Sequence, residues 1–78
     1  MSATDVKLPF MVEAKDSANV DAYGHDQKAN ELHVRYRGGG HYVYDDVPES
    51  LYHKMLAAES VGGFLHKEIR GKFKHRKI

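Results

Sequence analysis

Basic residues recur along the C-terminal end of this 78-residue chain, and one aromatic ring stands among them. Lysine and arginine side chains neutralise phosphate groups, and an aromatic ring stacks on nucleic-acid bases with little regard to sequence. Two arginines of a predicted hairpin extend the same chemistry. The pattern therefore predicts salt-sensitive, weakly specific nucleic-acid binding. The residues assigned to this surface are Arg35, Arg37, Arg70, Lys72, Phe73, Lys74 and Arg76.

Charge is divided unevenly along the chain. Residues 1–59 hold six Lys or Arg against ten Asp or Glu, whereas residues 60–78 hold six against one. Such asymmetry is typical of a protein with an anionic partner at one end, although a solvated basic segment produces it too. The acidic majority of residues 1–59 would repel nucleic acid over much of the surface. A protein-interaction module that uses the outer sheet face or an edge strand is therefore the alternative.

Six histidines raise the question of catalysis. His33 and His41 can approach each other across the hairpin, as the acid and base of a metal-free ribonuclease would. No carboxylate is spaced to orient them, and no His-x-x-x-His or His-Glu pairing on one helix face indicates a metal. We therefore expect no enzymatic activity and assign no catalytic, cofactor or metal-binding residue.

Two short alternating runs joined by glycines predict the hairpin that positions these groups. A three-residue loop over residues 38–40 predicts the pairs Arg37 with His41, Tyr36 with Tyr42, and Val34 with Tyr44. One face then carries Leu32, Val34, Tyr36, Tyr42 and Tyr44, and the opposite face carries His33, Arg35, Arg37, His41 and Val43.

A two-residue turn is the other possible register of the hairpin. It would move Tyr42 and Tyr44 to the side of His33 and Arg35, where rings and guanidinium groups could stack on bases. We favour the three-residue loop, because it keeps the large apolar side chains of the hairpin on one face and makes the tyrosines part of the core.

The remaining elements complete a small α+β domain. Strands are predicted over residues 19–23, 31–37 and 41–45, with a turn at Gly24 and residues 26–30. Helices are predicted over residues 48–58 and from Ser60 through Ile69, and Gly71 ends the second. The expected architecture is a three-stranded antiparallel β-meander covered on one face by two C-terminal helices, in the order β-β-β-α-α.

Residues 1–14 are predicted to be an N-terminal arm or an edge strand, and residues 15–78 a single domain. Pro9 favours an edge if the arm pairs at all. One two-layer core is expected from the apolar pattern. Its predicted members are Val20, Leu32, Val34, Tyr36, Tyr42, Tyr44, Val47, Leu51, Met55, Leu56, Phe64, Leu65 and Ile69.

Composition restricts the class of protein. The chain has no cysteine, which fits a reducing cytoplasm and leaves neither a disulfide framework nor a thiolate metal site. No apolar run approaches the roughly 18 residues of a membrane span, and residues 1–14 lack the pattern of a signal peptide. We expect a soluble, cytoplasmic protein with no membrane partner.

Motifs spread from Ser17 to Lys77 resemble the KTSC domain, a small module named for its occurrence at the C-terminus of some lysyl-tRNA synthetases. It also occurs alone in bacterial and phage proteins. The motifs that carry the resemblance are Tyr23-Gly24-His25-Asp26, Leu32-His33-Val34-Arg35-Tyr36, Gly40-His41-Tyr42-Val43-Tyr44, Val47-Pro48, Leu51-Tyr52, Ser60-Val61-Gly62 and Ile69-Arg70-Gly71-Lys72-Phe73.

The resemblance implies binding of RNA, suggested by the attachment of the family to a synthetase, and it puts most weight on Arg70. The chain departs from the family pattern at His25, where members commonly have Tyr, at Val61, where they have Lys, and at His66, where they have Asn. We expect a non-catalytic module that binds RNA or tRNA. The alternative is a protein-interaction or accessory module of bacterial or phage origin.

Overall fold

The structure, a computed structural model, describes residues 11–14 and 19–78. Its elements are β1 (Val12–Glu13), β2 (Val20–Asp26), β3 (Glu31–Tyr36), β4 (Gly40–Tyr44), α1 (Glu49–Ala57), α2 (Val61–Phe64) continuing as a π-helical segment (Leu65–Ile69), and β5 (His75–Lys77). The strands form an antiparallel sheet in the order β1-β2-β3-β4-β5. One face packs against the helices and is called the covered face. The opposite one is the outer face.

The α+β class and the central meander are as predicted, but the described part of the sheet has five strands instead of three. The additional strands occupy the edges. β5 is held beside β4 by hydrogen bonds from the Asp45 N–H to the Lys74 carbonyl, 2.8 Å, and from the Ile78 N–H to the His41 carbonyl, 2.9 Å. Its basic sequence lacks apolar alternation and so gives no local strand signal. β1 is an edge strand, whereas Pro9 and the rest of residues 1–10 lie outside the described residues.

The hairpin loop spans residues 37–39, so the predicted strand partners are wrong. Tyr36 pairs with Gly40, and Val34 pairs with Tyr42. The predicted faces are nevertheless correct, because a shift of two residues preserves the alternation of side chains. The two-residue turn is excluded. Gly40 has φ +92°, a left-handed conformation that strongly favours glycine.

Strand β2 continues through Gly24 and His25, where the sequence predicts a turn. Gly24 pairs with His33, and the Nε2 atom of His25 lies 2.7 Å from the Val47 carbonyl oxygen. The His25 ring also stacks on Tyr52, with 5.5 Å between the ring centroids. The two contacts of His25 involve residues more than twenty positions away, so local turn propensity could not reveal them.

The second helix begins where the sequence predicts, whereas the first begins at Glu49, one residue after its predicted start. Pro48 precedes α1, and the Ser60 hydroxyl caps α2 by accepting a hydrogen bond from the Gly63 N–H at 3.1 Å. The π-helical second half was not predicted. Its wider turn is closed by a 2.8 Å hydrogen bond from the Arg70 N–H to the Leu65 carbonyl, five residues back. No helix in the described part of the chain has the length and apolar character needed to cross a membrane.

The core lies between the covered face and the helices. Eight of its predicted members are buried: Val20, Leu32, Val34, Tyr44, Val47, Met55, Leu65 and Ile69. Four others are half-buried and pack against them: Tyr36, Tyr42, Leu51 and Phe64. Leu56 was wrongly assigned to the core, since it is 46% exposed. Val43, predicted for a face open to water, is 0% exposed on the outer face.

Candidate functional site

A cleft of 530 Å³ opens between the covered face near β5 and the end of the π-helical segment. Gly39 and Gly71 line it together with six larger residues, and none of these described lining residues is acidic. The lining therefore combines aromatic rings and one guanidinium group without a carboxylate as counterion. The six side chains are Tyr36, Tyr42, Tyr44, His66, Arg70 and His75.

Three tyrosines form the sheet wall of the cleft, because alternation along β3 and β4 directs them to the same face. The hydroxyl oxygens of Tyr36 and Tyr44 lie 2.7 Å apart, so one hydroxyl donates to the other. The rings of Tyr36 and Tyr42 meet edge to face, with 5.6 Å between centroids. Burial, reinforced by the hydrogen bond to Tyr44, raises the pKa of Tyr36 above its ordinary value. Tyr36 therefore remains a protonated donor at neutral pH.

Strand β5 brings His75 to the same wall. Tyr44 and His75 are register partners, and their ring centroids lie 5.6 Å apart. The ring of Tyr42 lies 5.9 Å from that of His75. The His75 ring is exposed, whereas Tyr44 is buried. The fifth strand thus adds an accessible imidazole at the border of the tyrosine wall.

Arg70 lies at the mouth of the cleft on the helical side. Its guanidinium carbon is 5.9 Å from the centroid of the Tyr36 ring, within the range of a cation–π contact. None of the ion pairs found among the described residues involves Arg70. The chain then turns at Gly71, whose φ of +84° strongly favours glycine. The π-helical segment and Gly71 together place this arginine, and such segments are frequent at functional sites.

The cations of the outer face have carboxylate partners. Arg76 contacts Glu31 at 2.9 Å and Asp45 at 2.6 Å. These hydrogen bonds raise the pKa of Arg76 further above its ordinary value. Arg35 lies 3.4 Å from Asp21, and the same carboxylate is 3.9 Å from Arg37. These cations of the outer face are therefore paired with carboxylates, and they do not form a continuous basic surface.

The remaining predicted residues come after the π-helical segment in the chain. Lys72 forms an ion pair with Glu68 at 3.7 Å, and the half-buried ring of Phe73 packs against the core. Lys74 is exposed. The seven predicted residues are thus divided between the outer face, the C-terminal end and the cleft, and their role in binding stays a prediction. Sequence reasoning missed both His66 and His75 as cleft residues. His66 was noted only as a departure from the family pattern, and His75 lies on a strand that has no local sequence signal.

The two histidines considered for acid–base chemistry do meet across the hairpin. The Nδ1 atom of His33 lies 2.9 Å from the Nε2 atom of His41. The Glu31 carboxylate is 3.5 Å from His33, contrary to the prediction that no carboxylate is placed near the pair. Burial lowers the pKa of both rings, and the two are only 6% and 4% exposed. The pair is therefore poorly placed to reach a substrate.

Asp26, Glu31 and His33 place three possible metal-ligating atoms within 4.8 Å of one another. Glu31 is already engaged by Arg76 at 2.9 Å, and Asp26 accepts a hydrogen bond from the Lys28 N–H at 3.1 Å in the turn after β2. Within the described part of the chain, the contacts of this cluster are those of a structural network that joins β2, β3 and β5.

Comparison with known proteins identifies the family. The model of the KTSC domain matches residues 16–73, and the chain belongs to this family. A protein of Tsukamurella paurometabola is 34% identical over 59 residues, which cover 76% of this chain and 88% of the relative. The crystal structure of a KTSC domain protein from Yersinia pestis is similar, with a TM-score of 0.80 and 33% identity, and covers 87% of this chain and 97% of the other.

Proposed function

We propose that this KTSC domain is a non-catalytic binding module for nucleic acid, and for RNA in particular, and that the cleft is its binding site. The observation that carries the proposal is the position of Arg70. It is an exposed arginine with no ion-pair partner among the described residues, beside an aromatic wall that has no acidic group.

The chemistry of the cleft fits a phosphate attached to a planar ring. A guanidinium group binds phosphate through two parallel N–H donors, and a neighbouring aromatic ring offers a stacking face. The tyrosine hydroxyls supply neutral donors and acceptors at the sheet wall. Arg70 is also the residue on which the family resemblance puts most weight, and the occurrence of the family beside a tRNA-charging enzyme favours RNA as the ligand.

Fluorescence anisotropy of labelled single-stranded RNA, tRNA and duplex DNA tests the proposal, with salt varied from about 20 to 300 mM. We expect Arg70→Gln to weaken RNA binding by about 10-fold or more, since it removes a charge-assisted phosphate contact. Lys67→Gln is the matched control, because it removes one positive charge from the same segment at a position outside the cleft. Absence of RNA binding at low salt, or equal affinity of the wild type and Arg70→Gln, would contradict the proposal.

One observation favours a protein-interaction module instead. Four of the six predicted cations already have carboxylate partners, so most of the predicted binding surface needs no polyanion to neutralise it. They are Arg35, Arg37, Lys72 and Arg76. β5 is an exposed edge strand that could pair with an extended segment of a partner. A pull-down from nuclease-treated bacterial lysate distinguishes the two functions, because a partner bridged by nucleic acid is lost after the treatment.

A further inference from the structure

We infer that the cleft accepts an unpaired base, so that the ligand is a single-stranded segment and not a duplex. The inference rests on the proposed nucleic-acid function and specifies the class of ligand. It depends on the shape of the site, the number of accessible cations in it, and the hydrogen-bonding capacity of its wall.

The first step concerns shape. The aromatic groups line a concave cleft of 530 Å³, which is within the roughly 300–1,000 Å³ of small-molecule sites. A cleft of this volume is large enough for one nucleotide. In a duplex the faces of each base are covered by the adjacent pairs, and mainly the phosphates and groove edges are accessible. An unpaired base can leave its stack and place its face against Tyr42, which is half-buried at the wall.

The second step concerns charge. Arg70 is the only Lys or Arg among the described residues that line the cleft. Proteins that hold a duplex through its backbone need a row of cations, and each phosphate contact steepens the dependence of affinity on salt. The outer-face arginine Arg76 is engaged by two carboxylates and lies on the opposite side of the sheet from the cleft. The cleft therefore offers one strong phosphate contact, which suits a short single-stranded segment.

The third step concerns hydrogen bonds. When one of the Tyr36 and Tyr44 hydroxyls donates to the other, the second hydroxyl proton remains available to the cleft. A tyrosine hydroxyl keeps its proton at physiological pH, and burial raises the pKa of Tyr36 further above its ordinary value. The Watson–Crick edge of an unpaired base has free acceptors for it, whereas in a duplex those acceptors are occupied by the complementary strand.

The test compares one labelled RNA strand with the same strand annealed to its complement, at several salt concentrations. We expect the single strand to bind about 10-fold or more tightly than the duplex. Its log–log salt slope should be about −0.7 to −1.4, which corresponds to one or two phosphate contacts. If all six Lys and Arg residues of the predicted surface contacted phosphates, the slope would be about −4 instead.

Variants of Tyr42 provide the second measurement. We expect Tyr42→Leu to weaken single-strand binding by about 5- to 100-fold through loss of base stacking, and Tyr42→Phe, the control that keeps the ring, to change it by less than about 2-fold. Circular dichroism melts verify that both variants are folded. Equal affinity for strand and duplex, a slope near −4, or unchanged binding by folded Tyr42→Leu overturns the inference while the proposed function stands. Binding of neither ligand overturns both.

Discussion

Arg70 and Arg76 are six residues apart in the chain, yet they have opposite surroundings. The guanidinium group of Arg76 lies on the outer face between Glu31 and Asp45, whereas that of Arg70 lies over the Tyr36 ring with no acidic neighbour in the cleft. The number of cations on a surface therefore does not by itself define a binding site. What counts is whether the fold has already supplied each cation with a partner.

The histidines show the same difference between the outer face and the cleft. His33 and His41 contact each other on the outer face and are buried, whereas His66 and His75 are exposed at the cleft. A buried imidazole pair loses hydration of its charged form and contributes to structure. Exposed rings beside tyrosines are accessible to a ligand. The outer face thus joins neighbouring strands through paired side chains, and the cleft is the region in which we propose that a ligand binds.

The largest effect is expected at the core on which both regions are built. Leu65 is fully buried and begins the π-helical segment, and its carbonyl accepts the hydrogen bond from the Arg70 N–H. Leu65→Ala should lower the free energy of unfolding by about 2–5 kcal/mol, because it leaves a cavity in the core. Urea unfolding measures this loss.

Leu56→Ala is the control for that experiment, since Leu56 lies on the exposed side of α1. It should change the free energy of unfolding by less than about 0.5 kcal/mol. Equal losses in the two variants would show that the cleft is not supported by the core as described.

A smaller effect is expected from pH, and it tests the buried character of the outer-face histidines. Burial lowers the pKa of His33, against the influence of Glu31, and that of His41, where His33 and Arg35 add to the effect. The unfolded chain takes up protons on these rings near pH 6.5, but the folded chain takes them up only at lower pH. The free energy of unfolding should therefore be constant above about pH 7 and fall as the pH drops below about 6.5.

Urea unfolding between about pH 7.5 and 5.5 measures this dependence. His33→Gln combined with His41→Gln should flatten it, because the variant has neither of the two buried rings. A double variant that keeps the full slope would remove the histidine pair as its source.

The smallest effect is expected for Arg76→Gln in the RNA-binding titration. Because Arg76 is engaged by Glu31 and Asp45, we expect the affinity to change by less than about 2-fold, against about 10-fold or more for Arg70→Gln. Similar losses in the two variants would mean that the outer face takes part in binding and would end the distinction between the two regions.

Much of the fold could be predicted from local patterns. Ser60 was identified as the N-cap of α2 and Gly71 as the end of the helix, because capping depends on residues a few positions apart. The faces of the hairpin were also correct, although the partners were displaced by two residues, since alternation specifies a face but leaves pairs two residues apart equally acceptable. The π-helical turn escaped prediction because its hydrophobic spacing is also that of an α-helix.

Less of the candidate site could be predicted. Arg70 was identified, but the cleft was not, because its walls come from β3, β4, β5 and the π-helical segment. The binding roles of Phe73 and Arg76 stay predictions, but their surroundings could not be anticipated. The ring of Phe73 packs against the core, and Arg76 pairs with a glutamate 45 positions earlier in the chain.

By itself the sequence determined the class of fold, the family, the two faces of the central hairpin and the ends of the helices. The fold class, the hairpin faces and the helix ends follow from the spacing of side chains within a few turns or one strand pair, whereas the family follows from the resemblance of motifs spread from Ser17 to Lys77. Only the tertiary structure decided that β5 joins the sheet, that Arg76 is neutralised and that Arg70 faces an aromatic cleft. The physical reason is that charge pairing and cleft formation depend on distances between atoms far apart in the chain, and local periodicity carries no information about those distances.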